Sequence, residues 1–127
     1  MPVVLVGGIN DKICQEICNG LKKSVNLAGK TSLRESMAIL VNAKHIIGSD
    51  TGLIHAAEAL GKSVTMILGP TSVETGAGIV LPESNVIEKD IWCRPCSQNG
   101  SFPCYREQQF CMDSIEPHDV IRSLNLD

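Results

Sequence analysis

The sequence has few aromatic residues, no long apolar run and no basic cluster, and each of these absences excludes a class of protein. Phe, Trp and Tyr make up 3% of the 127 residues while 43% are hydrophobic, so the core has to be aliphatic. An aliphatic core suits parallel strands that are buried on both faces. No apolar stretch approaches the roughly 20 residues that a membrane-spanning helix needs.

The net charge and the composition of the first eight residues exclude two more classes, nucleic-acid-binding proteins and proteins with a signal peptide here. The 11 Lys and Arg residues are scattered and the net charge is −3, whereas nucleic-acid binding needs clustered basic residues. The first eight residues lack the basic segment of a signal peptide and predict a strand instead. We therefore expect a cytoplasmic protein with no nucleic-acid partner and no transmembrane segment.

Short apolar runs alternate with segments of helical spacing about five times along the chain. This alternation predicts an α/β fold, a Rossmann-like parallel sheet with helices on both faces, in a single domain over residues 1–127. Asn10 or Asp11 is expected to cap the first helix, and Pro117 to begin the last. The predicted strands cover 3–6, 25–27, 45–48, 63–68 and 85–88, the predicted helices 11–23, 32–41, 52–60 and 117–124, and a Gly-rich loop 73–84.

The run from Gly48 to Ala57 predicts a strand, a tight turn and the start of a helix. The free N–H groups of the first helical turn and the positive end of the helix dipole make such a turn an anion site. His55 follows Thr51 by four residues and therefore shares its helix face. A diphosphate would suit this combination, although the same pattern also marks an ordinary helix start.

Three further turns fall where predicted strands end, at residues 7–8, 29–31 and 69–71. Ligands of parallel α/β sheets bind beyond the carboxyl ends of the strands. Together with Ser49–Thr51, these turns would line one edge of the sheet, which favours a ligand site there.

The chain resembles the heptosyltransferases, glycosyltransferase family 9, in four stretches: 27–33 (LAGKTSL), 48–61 (GSDTGLIHAAEALG), 68–71 (LGPT) and 93–96 (CRPC). The resemblance implies two Rossmann-like domains in a GT-B arrangement, which transfer heptose from an ADP-sugar to the lipopolysaccharide inner core with inversion. This chain resembles the C-terminal, donor-binding half without its first strand–helix unit. The acceptor would bind through the missing N-terminal domain, and the full-length enzyme would sit in the cytoplasm, peripherally at the inner membrane. The fragment alone would be inactive.

The resemblance also implies roles for individual residues, with no cofactor required and no catalytic base in this chain. Thr51 and Gly52 would contact the diphosphate, and His55 would stabilise it as it leaves. Asp50 would contact the donor sugar. The remaining implied contacts are Thr31 and Ser32 with the nucleobase, Asp11 with the ribose and Thr71 with the donor sugar. For most of these residues a purely structural role stays open: helix packing for His55, a turn residue for Thr71, and helix capping for Asp50, Asp11, Thr31 and Ser32.

Four cysteines cluster in a segment without clear periodicity, residues 93–111, which predicts an irregular loop. Their spacing is Cys93-x2-Cys96-x7-Cys104-x6-Cys111. A Cys-x2-Cys pair is half of a zinc site, but the second pair is spaced too widely for a standard one. A structural zinc or iron–sulfur cluster, packed reduced thiols and disulfides remain alternatives. Cys14 and Cys18 have helical spacing and are expected in the core.

Two other classes of function remain open from the residues alone. Another GT-B transferase or a sugar-nucleotide epimerase would also bind a diphosphate at a helix start. A stand-alone nucleotide- or metal-binding module would use the cysteines instead.

Overall fold

The computed structural model describes residues 1–71, 81–96, 104 and 106–125. The chain divides into two compact units, Met1–Ile39 and Leu40–Asp127. Each unit holds a small parallel sheet, with strand order β1-β2 in the first and β3-β4-β5 in the second. The predicted alternation of strands and helices is confirmed, and the fold is an α/β, Rossmann-like arrangement.

The first unit contains β1 (Val3–Leu5), α1 (Ile13–Asn19) and β2 (Ser24–Asn26), and the two strands pair in parallel with Val4 opposite Val25. The turns that follow the strands meet, because the Gly29 N–H donates to the Gly7 carbonyl at 2.9 Å. Gly29 has φ +72°, and a Cβ there would lie 2.7 Å from Ile9 Cα, so the position needs glycine.

Helix α1 differs from the prediction at both ends. Neither Asn10 nor Asp11 caps it, since the residue at its N-cap is Lys12. The Asp11 carboxylate instead accepts a hydrogen bond of 2.6 Å from the Gly8 N–H and closes the turn after β1. The helix stops at Gly20 rather than near Lys23, because the chain has to turn back into β2.

Helix α2 (Leu33–Asn42) begins with the predicted capping box. The Glu35 N–H donates to Ser32 Oγ at 3.1 Å, and the Ser32 N–H donates to the Glu35 carboxylate at 2.9 Å. These hydrogen bonds lower the pKa of Glu35 below its ordinary value, since they favour the ionised carboxylate.

The second unit contains β3 (Ile47–Ser49), α3 (Gly52–Ala59), β4 (Thr65–Ile67) and β5 (Asn85–Ile87), with all three strands parallel. A Cβ on Gly48 would lie 2.7 Å from Ile54, so this glycine lets the first turn of α3 pack closely on β3. The core of the unit is aliphatic, as predicted, and its buried side chains include Ile46, Ile54, Val64, Met66 and Leu68.

A buried carboxylate fixes the approach to β5. Glu58, near the end of α3, accepts hydrogen bonds from Ser84 Oγ at 2.7 Å and from the Leu81 N–H at 3.2 Å. Ser84 Oγ accepts in turn from the Val64 N–H at 2.9 Å. Most of the predicted loop 73–84 lies outside the described residues.

The unit closes with α4 (Phe110–Asp113) and α5 (Pro117–Ser123). Helix α4 is a single turn at the end of the segment for which no regular structure was predicted. Pro117 begins α5, as predicted, and Asp119 completes its capping box by accepting from the Glu116 N–H at 3.0 Å. None of the described helices is both long enough and apolar enough to span a membrane.

Asp119 is expected to make the stability of the second unit depend on pH. The Glu116 N–H and the Lys89 ammonium, 3.0 Å away, lower the pKa of this carboxyl below its ordinary value. A depressed folded-state pKa adds stability above the unfolded-state value, about 4, and this contribution is lost as the pH falls through the folded-state pKa. Asp119→Asn should therefore be less stable than the wild type near neutral pH, and the difference should shrink in acid. Urea unfolding of both proteins at a series of pH values measures this difference in stability. A difference independent of pH would contradict the role given to the ionised Asp119.

Candidate functional site

In the second unit, the carboxylate of one predicted site residue, Asp50, contacts two others, His55 and Thr71. Asp50 Oδ1 lies 2.7 Å from His55 Nε2, and Asp50 Oδ2 accepts a hydrogen bond of 3.3 Å from Thr71 Oγ1. Thr71 is buried, while the side chains of His55 and Asp50 are 42% and 28% exposed. The cluster is therefore anchored by the buried Thr71, while His55 and Asp50 remain accessible to solvent.

The topology of the sheet explains why these residues meet. Strands β3 and β4 are parallel neighbours, so the loops that leave their carboxyl ends lie side by side. Asp50 directly follows β3, and Thr71 ends the described loop after β4. His55 lies on the first turn of α3, which begins at this same edge of the sheet.

The start of α3 has the features of an anion site. Thr51 is the N-cap residue in an extended conformation, and within the described residues its hydroxyl makes no capping hydrogen bond. The N–H groups of the first helical turn have no partner inside the helix. A Cβ built on Gly52 would meet no atom of the described chain within 4 Å, so the space beside this backbone is open.

Asp50 does not cap α3, contrary to the structural alternative considered for it. Thr51 occupies the N-cap position, and both carboxylate oxygens of Asp50 are engaged with His55 and Thr71. A carboxylate before a helix N-terminus is stabilised by the helix dipole without capping the helix itself.

Three more of the predicted site residues lie in the first unit, each with a local partner. Asp11 binds the Gly8 N–H, and Thr31 Oγ1 lies 2.7 Å from Ser36 Oγ. Ser32 caps α2. Their proposed contacts with ribose and nucleobase remain predictions.

Arg94 is a residue that sequence reasoning missed. Its side chain is 8% exposed, and its Nε donates to the Gly69 carbonyl at 2.5 Å. Its Nη2 donates to the Thr71 carbonyl at 3.0 Å and to the Glu88 carboxylate at 2.8 Å, and its Nη1 to the Lys89 carbonyl at 2.6 Å. The only local signal was its place between two cysteines, which says nothing about contacts with distant loops.

The four clustered cysteines line one cavity together with Arg94 and Arg106. All six cysteines of the chain are free. Burial raises the pKa of the Cys111 thiol, and the other three thiols raise it further, while Arg94 opposes them. Arg106 Nη1 lies 3.4 Å from Cys93 Sγ, and its guanidinium stacks over Trp92 and Phe110.

The metal alternative for these cysteines gains no support from the arrangement of side chains. Among the residues that the structure describes, no three His, Cys, Asp or Glu side chains are grouped so that they could hold a metal ion. A structural zinc or iron–sulfur cluster stays a hypothesis, which metal analysis of protein purified without chelator would test. Of the two expected core cysteines, Cys14 is buried and Cys18 is half-buried.

Comparison with known proteins identifies the family. Residues 1–105 match glycosyltransferase family 9 (heptosyltransferase). The chain is 25% identical over 122 residues to lipooligosaccharide heptosyltransferase 2 of Campylobacter jejuni (serotype O:6), covering 93% of this chain and 38% of that protein. It is 36% identical over 76 residues to lipooligosaccharide heptosyltransferase 2 of Haemophilus influenzae, covering 55% and 22%. Lipopolysaccharide heptosyltransferase 2 of Escherichia coli K12 is 38% identical over 47 residues, covering 37% and 14%.

The chain therefore belongs to glycosyltransferase family 9, the heptosyltransferases, as its motifs predicted. It spans between 14% and 38% of the length of these curated relatives. No solved structure gives a significant match to it.

Thr51→Ala tests whether the Thr51 hydroxyl serves the fold. An N-cap Thr that bonds its helix typically contributes about 1 kcal/mol, but Thr51 makes no such bond within the described residues. We expect Thr51→Ala to lower the free energy of unfolding less than Ser32→Ala, because Ser32 does cap its helix. Thermal and urea unfolding measure both variants. A larger loss for Thr51→Ala would show that its hydroxyl has a structural role.

Proposed function

We propose that this chain is the donor-binding half of an inverting heptosyltransferase and holds the diphosphate of an ADP-sugar at the start of α3. The observation that carries the proposal is the cluster of Asp50, His55 and Thr71 beside an open helix N-terminus. Membership of glycosyltransferase family 9 supports the reaction class.

The start of α3 has three features that suit a diphosphate. The N–H groups of the first turn point outward, and the helix dipole favours negative charge there. The Thr51 hydroxyl is not used for capping within the described residues. The open space beside Gly52 allows a phosphate to approach the backbone closely.

In this proposal, His55 stabilises the leaving diphosphate. Its Nε2 is paired with Asp50, so Nδ1 is the ring atom that remains for a phosphate oxygen. The pairing fixes the direction of the imidazole before a ligand arrives, which reduces the reorganisation needed on binding.

Asp50 and Thr71 have capacity left for the donor sugar. A carboxylate offers about four acceptor positions, and a hydroxyl can accept as well as donate. Hydroxyl groups of the sugar could therefore donate to Asp50 while its bonds to His55 and Thr71 persist.

The proposed reaction displaces the diphosphate from the anomeric carbon. An acceptor hydroxyl attacks this carbon, the bond to the diphosphate oxygen breaks, and negative charge gathers on the leaving ADP. Dipoles that already point at that charge lower the barrier without rearranging. We place the base that removes the acceptor proton outside this chain.

The acceptor in the proposal is a lipopolysaccharide-core-like sugar, in line with the names of the similar proteins. A second, N-terminal Rossmann-like domain would bind it. The contacts expected of Asp11 with the ribose, and of Thr31 and Ser32 with the nucleobase, stay predictions.

Nucleotide binding to this chain tests the proposal by isothermal titration calorimetry. ADP should bind more tightly than UDP or GDP. His55→Gln should weaken ADP binding about tenfold, as expected for one charge-assisted contact with a phosphate. His118→Gln is the matched control, because His118 is an exposed imidazole beside Asp119 on α5, and it should bind ADP as the wild type does.

Two outcomes would contradict the proposal. If His55→Gln and His118→Gln lost the same affinity for ADP, His55 would not be part of the diphosphate site. Preference for UDP or GDP would favour another GT-B transferase or a sugar-nucleotide epimerase.

A further inference from the structure

Three consecutive carbonyl groups in the described part of the loop after β4, those of Gly69, Pro70 and Thr71, are held by one short segment. Gly69 and Thr71 accept from the guanidinium of Arg94, at 2.5 and 3.0 Å. Pro70, between them, accepts from the backbone N–H of Cys96 at 3.1 Å. Residues 94–96 therefore fix the backbone of this loop from Gly69 to Thr71.

Arg94 is suited to this task because its charge is paired with Glu88 and its nitrogens have hydrogen-bond acceptors. A buried guanidinium is costly unless its donors are paired. All three nitrogens of Arg94 donate, and its partners beyond the loop are Glu88 and the Lys89 carbonyl, which follow β5. Arg94 thus joins the loop after β4 to the chain leaving β5.

Helix α4 also packs against this loop, at Gly69. A Cβ on Gly69 would lie 2.5 Å from Met112 Sδ and 3.2 Å from Cys111 Sγ, so α4 packs directly against this glycine. Gly69 to Thr71 are thus held by hydrogen bonds to residues 94–96 and, at Gly69, by packing against α4.

We propose that Arg94 is a positioning residue of the donor site and acts through Thr71. By fixing the Thr71 backbone, Arg94 sets where the Thr71 hydroxyl donates to Asp50, and Asp50 in turn holds His55. This inference rests on the proposed donor site and assigns a role to the Cys-Arg-Pro-Cys segment in it.

The geometry requires arginine rather than any cation. The planar guanidinium donates in several fixed directions, whereas a lysine ammonium is a single point on a flexible stem. Lysine at position 94 would keep the charge but could not reach Gly69, Thr71 and Lys89 together.

A double-mutant cycle with ADP as the ligand tests the inference by calorimetry. Arg94→Lys and Thr71→Val should each weaken ADP binding roughly fivefold to tenfold, and the double variant should be little weaker than either, since coupled residues are not additive. Thr71→Ser, which keeps the hydroxyl, should bind ADP within about twofold of the wild type. Arg106→Lys is the matched control, because Arg106 lines the same cavity and contacts Trp92, Phe110 and Cys93. It should leave ADP affinity unchanged.

A second readout needs no nucleotide. In nitrogen-15 spectra of the free protein, Arg94→Lys should shift the backbone amide signals of Asp50, His55 and Thr71, and Arg106→Lys should not. If Arg94→Lys does not fold, Glu88→Gln loosens one partner of the guanidinium and should shift the same signals by less.

Failure of the wild type to bind ADP would overturn the proposed function, while the amide signals would still decide the role of Arg94. Unchanged Asp50 and His55 signals in Arg94→Lys, or full additivity in the cycle, would overturn the positioning role.

Discussion

The candidate site of the second unit depends on the Asp50 carboxylate, which joins α3 to the loop after β4. One oxygen holds the imidazole of His55 on α3, and the other accepts from Thr71 in the loop after β4. Because the two oxygens face different elements, one side chain fixes the loop after β3, the first turn of α3 and the loop after β4 relative to each other. The cluster is thereby set before a ligand binds, which is the condition for electrostatic stabilisation of a leaving group.

Side chains hold the described parts of two loops of this unit beyond the sheet itself. Strands β3, β4 and β5 are three residues each, so their ladders define only the centre of the sheet. Beyond the ladders, Arg94 holds the loop after β4 and Glu58 holds the approach to β5. Both are buried charged groups with several partners, and loss of either leaves polar groups unpaired, which costs about 1–3 kcal/mol for each buried group.

Local patterns in the sequence predicted the features that depend on neighbouring residues. The five apolar runs gave the strands, the Ser32 and Glu35 pair gave the start of α2, and Pro117 gave the start of α5. The turn after β3 and the family were also predicted from contiguous motifs.

Features that depend on distant contacts were not predictable in this way. Arg94 contacts residues 23 and 25 positions earlier, and such pairs leave no period or spacing in the sequence. The capping role considered for Asp50 was wrong for the same reason, because its competing partner Thr71 lies 21 positions away. The excess length predicted for α1 arose because helical spacing continued past Gly20, where the chain turns back into β2.

Binding of a diphosphate by the first turn of α3 is the central claim, and an ADP titration of the nitrogen-15-labelled chain tests it most directly. The backbone amide signals of Gly52, Leu53 and Ile54 should shift most and saturate together, because their N–H groups would bond to phosphate oxygens. Adenosine, which lacks the diphosphate, should not produce these shifts. Saturable shifts confined to residues outside this turn, or equal shifts with adenosine, would contradict the claim.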